Sequence, residues 1–421
     1  MNRTPGNRVV SLKDFGRAGT VGIAAALVLT SCTPDGGESE ELVWAIGGPE
    51  AQTGGLHEGI VELWNEQNPD TPVRIEALPE GAGQREQHSL VLQAEGDDFD
   101  ILAVDVVWTG EYAENGWVES LEGVRDEIEA VSLAGPLESA QWGGELWAAP
   151  YNSNGAMLVY RTDLVDTPPT TWDELCEVAL QVQDETDIGG LTAQGARYEG
   201  LVVNWLEYFW SAGGELYNED QTEVAFDVEL ATEVLEWMAE ANESGCFAPG
   251  FNTAQEDDAR NEFQQGNAVF QRNWPYVYAL LEEDGGEASE NFEIAPLPTF
   301  TGEGTISALG GYNNAVSAFS NNKEAATDFV VWLSTDEEVQ RTLAEVGSVP
   351  PTMASVYDDL ADDPVMSLLG DILEEARSRP PSPAWPEISV EMQRLIFEAY
   401  NGDMDPQRAA EGIRDVLESH L

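Results

Sequence analysis

From Leu42 onward, strand-like apolar runs alternate with stretches whose apolar residues recur every three to four positions, and few folds accommodate that order. Leu42–Ile46, Val73–Leu78 and Ile101–Val107 read as strands; Leu56, Ile60 and Trp64 mark a helix between the first two, and Leu90–Gln93 a second helix. A β-α-β-α-β order builds a parallel sheet covered by helices on both faces. A second unit opens near Pro150, with a strand at Met157–Tyr160 and a helix at Thr171, where Thr171 and Glu174 have the spacing of a capping box. Helices follow at Leu201–Trp210 and along Ala231, Val234, Leu235, Met238 and Ala241, which share one face. Strand patterns return at Ala268–Gln271, Phe292–Ala295 and Ala315–Phe319, and a long helix runs from Lys323 toward Leu333. The tail from Asp363 reads as helical, broken by Arg379-Pro380-Pro381-Ser382-Pro383. At 421 residues the chain exceeds what one core holds, since cores stop growing near roughly 250–300 residues, so two or three α/β units are expected.

Charge narrows the partners. Lys plus Arg number 18 against 79 Asp plus Glu, a net charge of −61, which excludes nucleic acid as a default partner and disfavours anionic ligands. With 42% hydrophobic residues and 13 Trp the chain still has a large core to bury, so it is a folded acidic protein rather than a disordered acidic polymer. Only Lys13 and Lys323 are lysines. Such a surface is tolerated best where salt screens carboxylate repulsion, which we read as adaptation to salt.

Arg3, Arg8, Lys13 and Arg17 precede an apolar stretch from Ala18 to Leu29 that is too short to span a bilayer but has the order of an export signal. It ends in Leu29-Thr30-Ser31-Cys32, a match to the bacterial lipobox, so residues 1–31 read as a lipoprotein signal, Cys32 as the lipidated N-terminus and residues 32–40 as a tether. The expected location is the outer face of the cell membrane, held by lipid. Two cysteines remain, Cys176 and Cys246; an even count in an oxidising compartment allows one disulfide, and two separate buried thiols are the alternative.

Enzyme signatures fail one by one. There is no P-loop, no G-x-S-x-G elbow, no H-E-x-x-H and no dinucleotide-binding fingerprint, and His57, His88 and His420 are too few and too scattered for a Cys/His metal site. No cofactor is expected. A carboxylate-pair glycosidase stays open, because the separation of two carboxyls is spatial.

Aromatic residues beside polar ones at strand ends are the positive signal. The run through Ile101 ends in Asp105 and Trp108, where open α/β sheets take their ligands. Tyr151 and Asn152 follow Pro150; Glu199 opens a helix beside Tyr198; Arg272, Asn273, Trp274 and Tyr276 surround Pro275; Gly310, Gly311 and Tyr312 precede a strand; Arg379 stands alone in a Pro-rich loop. Each also fits a plain structural part: a core indole, a helix cap, a turn. Together, flat aromatic faces with carboxylates and amides suit a neutral polyol, whose rings stack and whose hydroxyls need fixed partners.

At these residues the chain resembles the extracellular solute-binding lipoproteins of ABC sugar importers, the maltose- and trehalose-binding group. The marks are the lipobox, Asp105-Val106-Val107-Trp108 with Glu119-Ser120-Leu121, Tyr160-Arg161-Thr162-Asp163-Leu164, Thr171-Trp172-Asp173-Glu174-Leu175, Gly266-Asn267-Ala268, Asn273-Trp274-Pro275-Tyr276, Gly310-Gly311-Tyr312 and Arg379-Pro380. The resemblance implies a two-lobed periplasmic-binding-protein fold with three hinge crossings, one lobe from 41–149 plus 306–352 and the other from 150–305 plus 353–421. It also implies a monomer that seals a sugar between its lobes and presents it to a membrane permease. Carried over residue by residue, the ligand would meet Glu50 just after the first strand, Asp105, Tyr151, Asn152, Trp274, the Gly310-Gly311 backbone and Arg379. Tyr198-Glu199-Gly200 with Asn204-Trp205-Leu206-Glu207 looks like the trehalose-recycling binders and favours an α-linked glucose disaccharide. Tyr312 departs from the family's usual Trp at that place. A binder of another oligosaccharide, an amino acid or a peptide is the alternative, ahead of a secreted glycoside-active enzyme.

Overall fold

The computed structural model describes residues 41–421 except 49, 50, 80, 219–221, 285, 287 and 381. The export signal, Cys32 with the rest of the 32–40 tether, and Glu50 lie outside the described residues. Eleven strands are present among them: β1 (Leu42–Gly47), β2 (Val73–Leu78), β3 (Ile101–Asp105), β4 (Gln141–Trp142), β5 (Glu145–Leu146), β6 (Ala149–Gly155), β7 (Met157–Arg161), β8 (Gly189–Thr192), β9 (Ala268–Asn273), β10 (Phe292–Ala295) and β11 (Leu309–Val316).

One sheet has the order β2-β1-β3-β11-β6 and a second the order β10-β7-β9-β8; β4 and β5 form a hairpin. β1 runs parallel to β2 and β3, as the β-α-β order requires, but β11 is antiparallel to both β3 and β6, so the first sheet is mixed rather than wholly parallel. Its centre is buried on both faces: Leu42, Trp44 and Ala45 in β1 and Ile101, Leu102 and Ala103 in β3 are fully buried. The Trp44 indole N–H donates to Asn314 Oδ1 at 2.8 Å, satisfying a polar group that burial in β1 would otherwise strand.

Helices flank both sheets. Helix Trp172–Thr186 opens with both arms of the capping box, Thr171 accepting from Glu174 N and Glu174 from the Thr171 backbone. Helix Val228–Ser244 buries Ala231, Val234, Leu235, Met238 and Ala241, the face its spacing predicts. The helix read at Leu90–Gln93 begins earlier, at Ala82, because the Gly81-Ala82-Gly83 start hides its period. Cys176, in helix Trp172–Thr186, is bonded to Cys246 just past the end of helix Val228–Ser244.

Three segments cross between the sheets. Ala156 alone separates β6 from β7; residues 296–308 lead from β10 back to β11; and the chain passes residues 348–353 before the C-terminal helices. The crossings are hydrogen-bonded into one joint: Ala156 N donates to Ser307 Oγ at 2.6 Å, Ser153 N to Pro350 O at 2.9 Å, and Arg377 N to Ser307 O at 2.8 Å.

Candidate functional site

A cavity of about 590 Å³ lies between the C-terminal ends of β1 and β3 and the N-terminal ends of helices Glu199–Ser211 and Trp385–Tyr400. Asp105, Trp108, Tyr151, Asn152, Gly310, Gly311 and Tyr312 reach it from the first sheet and its loops. Glu199, Trp274, Tyr276 and Arg379 reach it from the side of the second sheet. Thus eleven positions scattered over almost 300 residues of sequence share one wall; Glu50 lies outside the described residues.

The charged centre is Arg379. Its side chain is almost wholly buried and lies 2.7 Å from Glu199 Oε1 and 3.4 Å from Asp105 Oδ1. Burial opposes its charge, yet the two carboxylates hold the guanidinium above its ordinary pKa. Burial raises the Asp105 carboxyl, with Arg379 and the Val107 N–H, 3.1 Å from Asp105 Oδ1, pulling the other way. Glu199 opens a helix, where backbone N–H groups point outward, whereas Asp105 ends β3 and, among the described residues, has the Val107 N–H alone as a backbone donor on its Oδ1. Glu199 is also bonded by the Trp385 indole N–H at 3.0 Å and by the Ser389 hydroxyl. These contacts make Glu199 the anchor of the C-terminal segment that carries Arg379.

Trp274 is held from behind. The Arg272 guanidinium carbon lies 4.2 Å from the indole centroid, a cation–π contact, and Arg272 is itself fixed by Glu207 through Nε at 2.8 Å and a second nitrogen at 2.5 Å. Glu207 also accepts the Ala308 N–H at 3.1 Å, and Arg272 donates to Gln194 at 2.9 Å. Asn273 Oδ1 accepts the Trp274 N–H at 2.8 Å. A ring locked in this way offers a flat apolar face at little further cost in rotamer entropy.

Gly310 and Gly311 stand inside β11, not ahead of a strand; two glycines weaken strand propensity, so the reading begins the strand at Ala315 and misses its first six residues. Their contribution is room. A Cβ on Gly310 would come 3.0 Å from the Trp274 ring, and one on Gly311, whose φ is +118°, would meet Asn152 O at 2.2 Å. The pairing with β6 shifts register just after Tyr312, and the Tyr312 N–H is taken by Asn152 Oδ1 at 2.8 Å. Tyr151 and Asn152 likewise belong to β6 rather than to a turn.

Several wall residues escape a sequence reading. Trp385 follows the Pro-rich loop of Arg379, and an indole next to an isolated base is a signal that was there to be used. Arg85, bidentate to the nearly buried Glu111 at 2.8 and 2.5 Å, sits in a Gln- and Glu-rich helix without a distinguishing pattern. His57 packs against Trp44 and Tyr151, with ring centroids 5.2 and 5.7 Å away, a neighbourhood only the fold creates. Among the described residues no cluster of His, Cys, Asp and Glu could hold a metal ion, and no helix is long and apolar enough to cross a membrane.

Residues 47–340 match the family described as bacterial extracellular solute-binding protein. The chain belongs to that family. Among relatives of this solute-binding protein, a probable ABC transporter-binding protein of Deinococcus radiodurans is 30% identical over 333 residues, covering 76% of this chain and 78% of the relative. A maltotriose-binding protein of Pyrococcus abyssi is 26% identical over 363 residues, 82% of this chain and 73% of that one. The structure described as maltose-bound MalE3 of T. maritima matches with a TM-score of 0.83 and 31% identity over 90% of this chain and 100% of its own. The solute-binding protein therefore has the two-lobed fold in which each lobe is discontinuous in sequence and the chain crosses between lobes three times.

Proposed function

We propose that this solute-binding protein is the sugar receptor of an ABC importer, taking a disaccharide, trehalose or a maltose-like α-glucoside, and delivering it to the permease. The observation that carries the reading is the pairing in one cavity of a locked indole, Trp274, with a buried cluster of fixed donors and acceptors, Asp105, Glu199 and Arg379. Sugars ask for that combination: C–H faces stack on the ring while hydroxyls bond to charged groups that are already oriented. The names of the Pyrococcus and T. maritima relatives, which bind maltotriose and maltose, support the same class.

In this reading Asp105, Trp108, Tyr151, Asn152, Glu199, Trp274, Tyr276, Gly310, Gly311, Tyr312 and Arg379, with Glu50, form the binding surface. The lobes are 41–149 plus 306–352 and 150–305 plus 353–421. Sugar binds one lobe, recruits the other and shifts an open–closed equilibrium by its preference for the closed form. Cys32 carries the lipid that keeps the monomer at the outer face of the membrane, and the acidic surface is an adaptation to salt.

The test is a titration of the mature domain in high salt against trehalose, maltose, maltotriose, glucose, sucrose and a peptide mixture. A ligand at 100 times its Kd adds about 2.7 kcal/mol to stability, which a melting curve resolves. A rise with trehalose or maltose supports the proposal; a rise with peptide alone, or with no sugar, defeats it.

A further inference from the structure

His57 is a buried imidazole whose contacts do not account for it. The residue is second in helix Leu56–Gln67, keeps only 7% of its surface and lines the cavity. Its ring is wedged between Trp44, at 62° to it, and Tyr151. Nδ1 is sealed in the wall with no hydrogen-bond partner. If the ring served packing alone, phenylalanine would fill the place without burying an unpaired nitrogen, a cost that proteins seldom accept.

The tautomer follows from the same geometry. A sealed N–H without an acceptor is worse than a sealed lone pair, so the proton belongs on Nε2, the nitrogen a ligand in the cavity can reach. We propose that His57 is a specificity-determining residue, donating its Nε2–H to an oxygen of the bound sugar beside the ring face of Tyr151. This rests on the sugar-receptor reading and adds to it an uncharged donor beside the ionic groups of the wall, Arg379, Arg85, Asp105 and Glu199. Burial keeps the imidazole neutral at physiological pH, so the donor stays single and directional. One N–H at a fixed position discriminates between sugars that differ at one hydroxyl, because a sugar lacking that oxygen leaves the donor unpaired.

The experiment compares wild type, His57→Phe and His57→Gln by calorimetric titration with whichever of trehalose and maltose binds more tightly, alongside melting curves without sugar. His57→Phe keeps the ring and should weaken binding about tenfold, the usual loss for one neutral hydrogen bond, with no fall in melting temperature. His57→Gln carries an amide nitrogen near the Nε2 position and should recover most of the affinity. Unchanged affinity in His57→Phe, or equal losses in both variants, overturns the proposal and leaves His57 a packing residue. If the wild-type protein binds neither sugar, the receptor reading itself has failed, an outcome distinct from the other two.

Discussion

Arg379 and Asp105, 274 positions apart in sequence, meet at 3.4 Å, and the same guanidinium holds Glu199 at 2.7 Å. One buried cation thus joins the end of β3 to the start of helix Glu199–Ser211. Removing it strands two partly buried carboxylates, so Arg379→Ala should destabilise the sugar-free protein by about 3 kcal/mol as well as abolish sugar binding. Denaturant titration checks the first effect and calorimetry the second; an unchanged midpoint would refute the electrostatic account.

Trp274→Ala separates the two effects. The indole is half-buried and supported by Arg272 rather than supporting the core, so affinity should fall by about 2 kcal/mol or more, roughly thirtyfold, while the melting temperature holds. Wild-type affinity would remove the residue from the binding surface.

Acid should reveal His57. Burial pushes its pKa from an ordinary 6.5 down to about 3, so between those values the unfolded chain binds the extra proton. Its contribution to stability is whole above about pH 6.5 and is lost as pH falls toward 3. Between pH 7 and 5 the loss is roughly 2 kcal/mol, and His57→Phe should lack that part of the slope. Parallel stability curves for the two proteins would show that the imidazole does not stay neutral in the fold. His88, pushed down to about 4 chiefly by burial, adds a second contribution of the same sign in both proteins.

Reduction of Cys176–Cys246 should cost about 4 kcal/mol, because the bond closes a loop spanning 70 positions. The comparison is a urea midpoint with and without dithiothreitol, or with the double serine variant, and coincident curves would contradict it.

Salt should stabilise. With a net charge of −61, raising sodium chloride from about 0.1 M to 1 M shortens the Debye length from about 10 Å to 3 Å and should raise the melting temperature by several degrees. A flat response would show that carboxylate repulsion is not what limits stability.

The parts of this fold that were legible in sequence are those where one local signal suffices. β1 and β3 announce themselves as apolar runs, and the Thr171 capping box needs only four residues. β11 is harder to see because Gly310 and Gly311 trade strand propensity for room beside Trp274 and Asn152, a reason that lies on other strands. Trp108, Trp274 and Arg379 stand out by residue type, whereas His57 and Arg85 gain meaning only from Tyr151 and Glu111, which the chain brings to them after folding. The antiparallel entry of β11 into the first sheet is equally hidden, since it depends on where the chain returns from the second sheet.

The bond from Ala156 N to Ser307 Oγ, with Ser153 N on the Pro350 carbonyl, stitches three crossings into a single pivot. Sliding of one lobe along the other would have to break these bonds together, whereas a twist about them breaks none. If the lobes open and close as proposed, a pivot tied at one place confines that motion to rotation, and a pair of fluorophores, one per proposed lobe, should read it as a single distance.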